Sequence, residues 1–298
     1  MKRSSYLVPT LILFIFLYFL YEYRVFEKLS EIASRLRPEY LIASLSFYLL
    51  TYLTRAKRFS LMFSRISTPE LSAVMAVHTF LNNLLPFRSG EASFPVILKK
   101  LFGIETAISS AALMVVRLLD LLSLSFLFTI SLFAVAFDKK ELLWIPGILT
   151  AVTLLILLAA FKLIKKLKNR FTVIGSVFLF FQNFISFKTV IMLTLYSLLT
   201  WMFKFMSFFF ILKAGGIKLN YFQTVFVSTF GEITTILPIH SFGGFGTYEA
   251  GLVGGFSLLG IKGSYALTVA FYFHLILLVM SAVLAFIGWL YLLRRASR

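Results

Sequence analysis

The residues of this chain that could do chemistry are charged side chains placed inside strongly apolar sequence. Arg117 and Asp120 lie three residues apart, so on a helix they would share one face and could pair with each other. A charge at the centre of a bilayer costs about 2.5–3.5 kcal/mol on insertion scales, so such residues are rare there. Two interpretations are open: a structural ion pair, or an Arg117 guanidinium that binds a phosphate while Asp120 orients it.

Two short segments combine glycine with charge where an apolar helix would otherwise continue. The first runs from Leu85 to Glu91 and contributes Arg88 and Glu91 as candidate ligand contacts. The second runs from Ser241 to Glu249. A glutamate at the start of a helix can cap that helix, so capping is one interpretation of both carboxylates. The glycines predict either close helix packing or backbone amides that are free to bind an anion. The candidate residues of the second segment are Gly243, Gly244, Gly246 and Glu249.

Glu232 lies in the apolar stretch before the second segment, where capping is not available. It therefore needs a partner, and the candidates are Lys204, His240 and His274. Histidines titrate near physiological pH, although a lone buried histidine is more often structural. The chain has no cysteine and no cluster with metal-ligand spacing, so we expect no metal, no cofactor and no metal-assisted catalysis.

The composition shows which kind of protein must position these residues. Of the 298 residues, 60% are hydrophobic and only 14% are charged, whereas about a quarter are charged in soluble domains. Apolar runs of 17 or more residues recur, and each can cross about 30 Å of hydrocarbon. The sequence therefore predicts an all-α polytopic membrane protein. The net charge of +17 flanks the apolar runs, which favours cytoplasmic anchors over nucleic-acid binding.

The pattern predicts about six transmembrane helices and two broken regions. The broken regions are 70–103 and 221–260, and their halves are each too short to cross a bilayer. Residues 162–187 form a basic, amphipathic segment that we expect on the membrane surface, with recognition of one anionic lipid as the alternative. The expected spans are 6–23, without signal-peptide cleavage, 38–62, 105–137, 141–161, 188–213 and 264–293.

The orientation follows from the distribution of lysine and arginine. Placing both termini in the cytoplasm puts about twice as many of these residues inside as outside. In this assignment Glu22 to Arg37 is a charged outer connector that ends at Pro38. Arg58 belongs to the basic end of the second span, on the inner side.

The two broken regions predict an inverted repeat within a single membrane domain, 1–298. Each repeat unit, about 38–137 and 188–293, consists of a span, a broken hairpin and a span, and the linking helix 141–161 reverses the second unit. Arg117 follows a glycine by 14 residues, and His274 follows the corresponding glycine by 14. Paired, interrupted segments in inverted halves indicate a transporter site near the bilayer midplane. The alternative is two unrelated kinked helices.

At these segments the chain resembles a known family: the flippase-like transmembrane region of lysylphosphatidylglycerol synthetases and its free-standing relatives. That family's first signature, a proline, a basic residue and Gly-Glu, is similar to the stretch LPFRSGE from Leu85 to Glu91. An arginine followed three residues later by an aspartate matches Arg117 and Asp120. The second signature, Gly-Gly-x-Gly-x-x-Glu, matches the stretch from Gly243 to Glu249. Relatives often carry a proline directly before the glycine pair, where this chain has His-Ser-Phe.

The resemblance implies movement of a lipid between the leaflets of a prokaryotic plasma membrane. The lipid would be an anionic or aminoacylated phospholipid or a lipid-linked sugar. Because no aminoacyl-transferase domain follows the spans, we do not expect the chain to be an enzyme. The expected partners are phosphate-bearing membrane lipids, a second copy of the chain and a separate lipid-modifying enzyme. The alternatives are an ion- or proton-coupled transporter of a small soluble solute and an integral-membrane enzyme acting on lipid-linked substrates.

Overall fold

A computed structural model describes residues 7–135, 186–235 and 241–296, together with isolated positions between 144 and 182. Within these residues the regular structure is entirely helical. The described α-helices, in chain order, are α1 (Leu7–Glu22), α2 (Val25–Ser34), α3 (Pro38–Ser60), α4 (Thr68–Leu84), α5 (Ser93–Phe102), α6 (Thr106–Val135), α7 (Phe187–Ala214), α8 (Tyr221–Thr234), α9 (Thr247–Leu258) and α10 (Gly263–Ala296).

The helices begin and end close to the predicted positions, and local residues stabilise several of these ends. Pro38 starts α3, and Gly103 ends α5 in a left-handed conformation with φ 70°. Asn220 caps α8: its side chain accepts a hydrogen bond from the Gln223 amide at 2.8 Å. The predicted span 141–161 and the predicted surface segment 162–187 lie outside the described residues, apart from isolated positions and the start of α7.

One connector differs from the prediction. The segment from Glu22 to Arg37 contains helix α2, which meets α1 at an angle of 70°. Arg24 forms the bend with a left-handed φ of 50°. Helix α2 buries Val25, and the Lys28 ammonium donates a hydrogen bond to the Ser264 hydroxyl at 2.7 Å. Charged residues therefore line an amphipathic helix here rather than a plain loop.

Among the described residues, three helices are long and apolar enough to cross a membrane: Thr106–Val135, Phe187–Ala214 and Gly263–Arg295. The bent pair α1 and α2 would be a fourth span if it crosses as one. Helix α3 forms where a span was predicted, but it is less apolar because it carries serines, tyrosines and terminal charges. The chain is thus a helical membrane protein, and the number of spans stays a prediction.

The order of helices repeats along the chain. A long helix, two short helices and a second long helix occur in α3 to α6 and again in α7 to α10. The two repeat units, about 38–137 and 188–293, stay a prediction. The inversion of one unit relative to the other in a membrane stays a prediction.

The chain divides into two compact units. The first unit comprises Met1–Leu49, Ala76–Glu91 and Lys204–Phe286. Within it, α8 packs closely on α9 because α9 has glycines at the contact. A Cβ atom at Gly251 would lie 2.5 Å from the Phe230 carbonyl oxygen, and one at Gly255 would lie 2.9 Å from the Val227 Cα. The second broken region is therefore a tightly packed helical hairpin.

The second unit comprises Leu50–Met75, Ala92–Phe203 and Ile287–Arg298. Helix α5 packs against α6 in this unit. Phe94 on α5 also contacts Phe59 on α3, with ring centroids 4.7 Å apart. The Arg295 guanidinium lies 3.0 Å from the Glu70 carboxylate and 4.1 Å from the Phe102 ring centre. These contacts fix the ends of α3, α4, α5 and α10 within the unit.

Candidate functional site

The turn that connects α8 to α9 depends on glycine. Gly243, Gly244 and Gly246 have φ angles of 63°, 74° and 87°, which side chains other than glycine rarely adopt. The Ser241 hydroxyl closes the turn by donating a hydrogen bond to the Phe245 carbonyl oxygen. The five residues before it, 236–240, lie outside the described residues, and with them His240.

Three amides of this turn already donate hydrogen bonds within it or to Glu249. The amide of Gly244 donates to the Ser241 carbonyl oxygen at 3.1 Å, and that of Phe245 donates to the Phe242 carbonyl oxygen at 3.3 Å. The amide of Gly246 donates to Glu249 Oε2 at 2.7 Å. The hypothesis that glycine amides are free to bind an anion is therefore wrong for Gly244 and Gly246.

Helix α1 covers the turn. A Cβ atom at Gly246 would lie 3.1 Å from side-chain atoms of both Ile12 and Phe16. The Phe16 ring stacks on Phe245 with centroids 6.2 Å apart, and both rings contact Phe271 of α10. The turn is consequently held between α1 and α10, and any rearrangement of it must break these contacts.

Glu249 combines capping with a second partner. One carboxylate oxygen accepts from the Gly246 amide, as the capping interpretation predicts, and the other lies 2.7 Å from His274 Nδ1. Both side chains are buried: Glu249 is 0% exposed and His274 is 4% exposed. Both residues are candidates from the sequence, and the structure shows that their side chains are in contact.

Of the three candidate partners of Glu232, the structure shows Lys204 in contact with it. The Lys204 ammonium lies 2.7 Å from Glu232 Oε2, and the Tyr248 hydroxyl donates to Glu232 Oε1 at 3.2 Å. The Tyr248 ring lies 4.6 Å from the His274 ring. We call Lys204, Glu232, Tyr248, Glu249 and His274 the hairpin cluster. Sequence analysis missed Tyr248, although it directly precedes Glu249 in the second glycine signature.

Asp120 has a different partner from the one that its spacing suggested. Arg58 of α3 holds the carboxylate with two nitrogens, at 2.5 Å to Oδ1 and 3.3 Å to Oδ2. The same guanidinium donates to the Ser197 hydroxyl at 2.7 Å. Asp120 therefore takes part in a long-range pair between α3 and α6, which its spacing along the chain did not suggest.

Arg58, which was predicted at the basic inner end of the second span, has a buried side chain. Helix α3 continues to Ser60, and Arg58 is only 1% exposed. One signal in the sequence could have revealed this position. Arg58 follows Thr51 by seven residues, two helical turns, so it lies on the face that also buries Thr51 and Ser44.

Two further arginines lie near Arg58. Arg55 and Arg117 are close enough to repel the Arg58 guanidinium electrostatically, and both are partly exposed. We call Arg55, Arg58, Arg117 and Asp120 the arginine cluster. In this cluster two guanidinium groups act electrostatically on a third, that of Arg58, which engages the Asp120 carboxylate.

An apolar groove runs along α6 and α7 beside the arginine cluster. Its volume is about 400 Å³. The hydroxyl groups in its wall donate to carbonyl oxygens of their own helices, so they leave the wall apolar. Ser123 is one turn beyond Asp120 on α6, and Leu198 directly follows Ser197 on α7. The groove is lined by Leu122, Ser123, Phe126, Thr129, Thr194 and Leu198.

The first glycine signature forms a short 3-10 turn, Pro86–Ala92. Phe87 and Arg88 have left-handed φ angles of 55°, which are uncommon for residues with side chains and cluster at functional sites. A Cβ atom at Gly90 would lie 2.3 Å from the Leu81 carbonyl oxygen, so only glycine fits there. Arg88 pairs with Glu91 at 2.6 Å, and both side chains stay partly exposed.

Among the residues that the structure describes, no group of three or more histidine, aspartate and glutamate side chains could hold a metal ion. The model of one protein family, described as the lysylphosphatidylglycerol synthase TM region, matches residues 6–285. No curated protein and no solved structure matches the chain.

Proposed function

Because the chain belongs to the family of lysylphosphatidylglycerol synthase transmembrane regions, a membrane domain linked to lipid biosynthesis or translocation, we propose that it moves a lipid between membrane leaflets. The proposed cargo is an anionic or aminoacylated phospholipid or a lipid-linked sugar. The proposal also places the chain in a prokaryotic plasma membrane with both termini in the cytoplasm. A second copy of the chain and a separate lipid-modifying enzyme are its proposed partners.

The observation that carries the proposal is the arginine cluster beside an apolar groove. Arginine binds phosphate with a planar set of donors, and Arg55 and Arg117 are partly exposed. The α6–α7 groove offers an apolar wall along which an acyl chain can lie. A phosphate ligand next to an acyl-chain groove fits a phospholipid better than a small soluble solute.

Arg88 and Glu91 supply a second polar contact in this proposal. Their pair is partly exposed, and it lies in a turn with an uncommon backbone conformation. The Arg88 guanidinium would exchange its Glu91 partner for a lipid phosphate. The carboxylates Glu232 and Glu249 would interact with a cationic headgroup when the hairpin cluster opens.

Lipid transfer in reconstituted vesicles tests the proposal directly. Purified protein is placed in phosphatidylglycerol-containing vesicles with a trace of headgroup-labelled phosphatidylglycerol, and a membrane-impermeant quencher reports the label that reaches the outer leaflet. Arg117→Ala should slow transfer by about tenfold to a hundredfold, because one charge-assisted contact to phosphate is lost. Arg35→Ala, at an exposed arginine that directly follows α2, is the matched control and should transfer like wild type.

Two results would contradict the assignment. Wild-type vesicles that transfer no faster than protein-free vesicles would remove lipid translocation as the function. Transfer that is equal in wild type and Arg117→Ala would keep the function but remove the arginine cluster as the phosphate contact.

A second candidate function is favoured by the hairpin cluster. Buried carboxylates paired with a lysine and a histidine are typical of ion- and proton-coupled transporters. This candidate predicts uptake of a water-soluble solute that stops when the proton gradient is collapsed by an ionophore. It also predicts no transfer of labelled lipid in the same vesicles.

A further inference from the structure

The hairpin cluster forms one connected chain of polar groups within the first unit. Lys204 contacts Glu232, and Glu232 accepts from the Tyr248 hydroxyl. The Tyr248 ring lies against the ring of His274, and His274 Nδ1 lies 2.7 Å from Glu249 Oε1. This series of polar contacts therefore extends from α7, through both arms of the hairpin, to α10.

The charges of this cluster do not balance when His274 is neutral. Lys204 offsets one carboxylate, and the second carboxylate keeps a net charge of −1 in a place where Glu249 is 0% exposed. A buried charge without an opposite charge costs several kcal/mol. One proton on His274 turns its contact with Glu249 into an ion pair and removes the surplus. Histidine is the side chain that takes up a proton in the physiological pH range.

Among the residues that the structure describes, the ionisable groups on the elements packed against His274 are as follows. Glu249 and Tyr248 face it from α9. Glu232 on α8 and Lys204 on α7 are linked to it through Tyr248. Tyr48 on α3 acts electrostatically on Tyr248. The tyrosines are neutral at physiological pH. Glu249 is therefore the negatively charged group that a protonated His274 contacts.

The same carboxylate holds the glycine turn. Glu249 Oε2 accepts from the Gly246 amide at 2.7 Å, and this contact fixes a glycine with φ 87° at the start of α9. A proton on His274 keeps Glu249 charged and in place, so the turn stays packed against α1. Loss of that proton leaves the surplus negative charge, which favours movement of Glu249 toward water and release of the turn.

We infer that the Glu249–His274 pair is a proton-binding site whose occupancy holds the Ser241–Gly246 turn closed, and that lipid transfer is coupled to release of this proton to water. The coupling rests on the proposed lipid translocation, whereas the proton site and its link to the turn do not. Acid conditions should therefore close the turn and slow transfer, by at most about tenfold for each unit of pH because a single proton is released.

The first experiment measures transfer of labelled phosphatidylglycerol at symmetrical pH values from 5 to 8.5. Wild type should lose activity on the acid side. His274→Gln keeps a hydrogen-bond donor for Glu249 but cannot take up the proton, so its transfer should not fall in acid. His78→Gln, which changes a buried histidine on α4, is the matched control and should keep the wild-type acid limb.

The second experiment observes the turn itself and needs no lipid transfer. The chain has no cysteine, so Phe242→Cys places a single thiol on the turn, at a residue that is 37% exposed. The labelling rate with a maleimide is divided at each pH by that of a free cysteine peptide, which removes the titration of the thiol. This ratio should fall several-fold from pH 8 to pH 6, and the fall should disappear when His274→Gln is added. Elution of each variant as a single species from a sizing column shows that it is folded.

The outcomes separate the proton site from the proposed function. Labelling that depends on pH through His274, in vesicles without lipid transfer, would keep the proton site and remove translocation. Transfer with the same acid limb in wild type and His274→Gln would remove the coupling. A labelling ratio that does not change with pH, or that changes equally in both proteins, would overturn the proton site.

Discussion

Two charge clusters in the described part of the chain, the arginine cluster and the hairpin cluster, are built in opposite ways. The arginine cluster lies on the continuous helices α3 and α6, and its groups are three guanidiniums and one carboxylate. The hairpin cluster lies on a broken pair of short helices and its neighbours, and it holds two carboxylates, one lysine and one histidine. One cluster is rich in positive charge and has no glycine turn, whereas the other is rich in negative charge and is tied to one.

This difference indicates that the two clusters have different functions. Straight helices hold the arginine cluster with little freedom, so a rigid site for an anion fits it. The hairpin cluster contacts a turn with three left-handed glycines, so a change of its charge can move backbone. We therefore expect substitutions in the arginine cluster to change stability and ligand binding, and substitutions in the hairpin cluster to change pH dependence and motion.

The largest effect should come from breaking the buried pair of the arginine cluster. Asp120→Ala leaves the Arg58 guanidinium buried without its carboxylate, which should lower the free energy of unfolding by about 3–5 kcal/mol. Unfolding by SDS in mixed micelles measures it. The double variant Arg58→Met with Asp120→Leu removes both charges and should recover most of the loss. Equal instability of the single and the double variant would show that the pair is not the cause.

That pair also shows where sequence reasoning stops. Helix bounds follow from local residues such as Pro38, Asn220 and Gly103, and the structure confirms them to within a few residues. The partner of Asp120 does not follow, because Arg58 is 62 residues away and spacing along the chain favours Arg117. Contacts between helices depend on how they pack, which local patterns do not specify.

The same limit explains the mixed result at the glycine turn. The signature correctly marks a break in the helix and a capping carboxylate at Glu249. It does not show that Glu249 also faces His274, or that amides of the turn are satisfied within it. A glycine in the sequence is compatible with an amide that binds a ligand and with one that donates a hydrogen bond inside the turn. Only the three-dimensional structure distinguishes these cases.

The next effect tests whether the hairpin is held by packing as well as by charge. Gly251→Ala places a methyl group 2.5 Å from the Phe230 carbonyl oxygen, which is backbone and cannot move aside, so we expect a loss of about 1–3 kcal/mol. Gly254→Ala is the matched control, because a Cβ atom there meets nothing within 4 Å. The free energy of unfolding of this control should be unchanged or higher by up to about 1 kcal/mol, because alanine has a higher helix propensity than glycine. If both variants unfold at the same SDS fraction, close α8–α9 packing does not stabilise the hairpin.

The smallest effect belongs to Tyr248, which links the two halves of the hairpin cluster. Tyr248→Phe removes one hydrogen bond to Glu232 and keeps the ring that packs on His274, so the free energy of unfolding should fall by only about 1 kcal/mol. The Lys204 contact still neutralises Glu232, and the Glu249–His274 pair is not changed. The acid limb of lipid transfer should therefore stay, unlike in His274→Gln. Tyr265→Phe, at an exposed tyrosine of α10, controls for the loss of a hydroxyl group. An acid limb that vanishes in Tyr248→Phe would mean that the proton site extends to Glu232, and that the hairpin cluster titrates as one unit rather than through the Glu249–His274 pair.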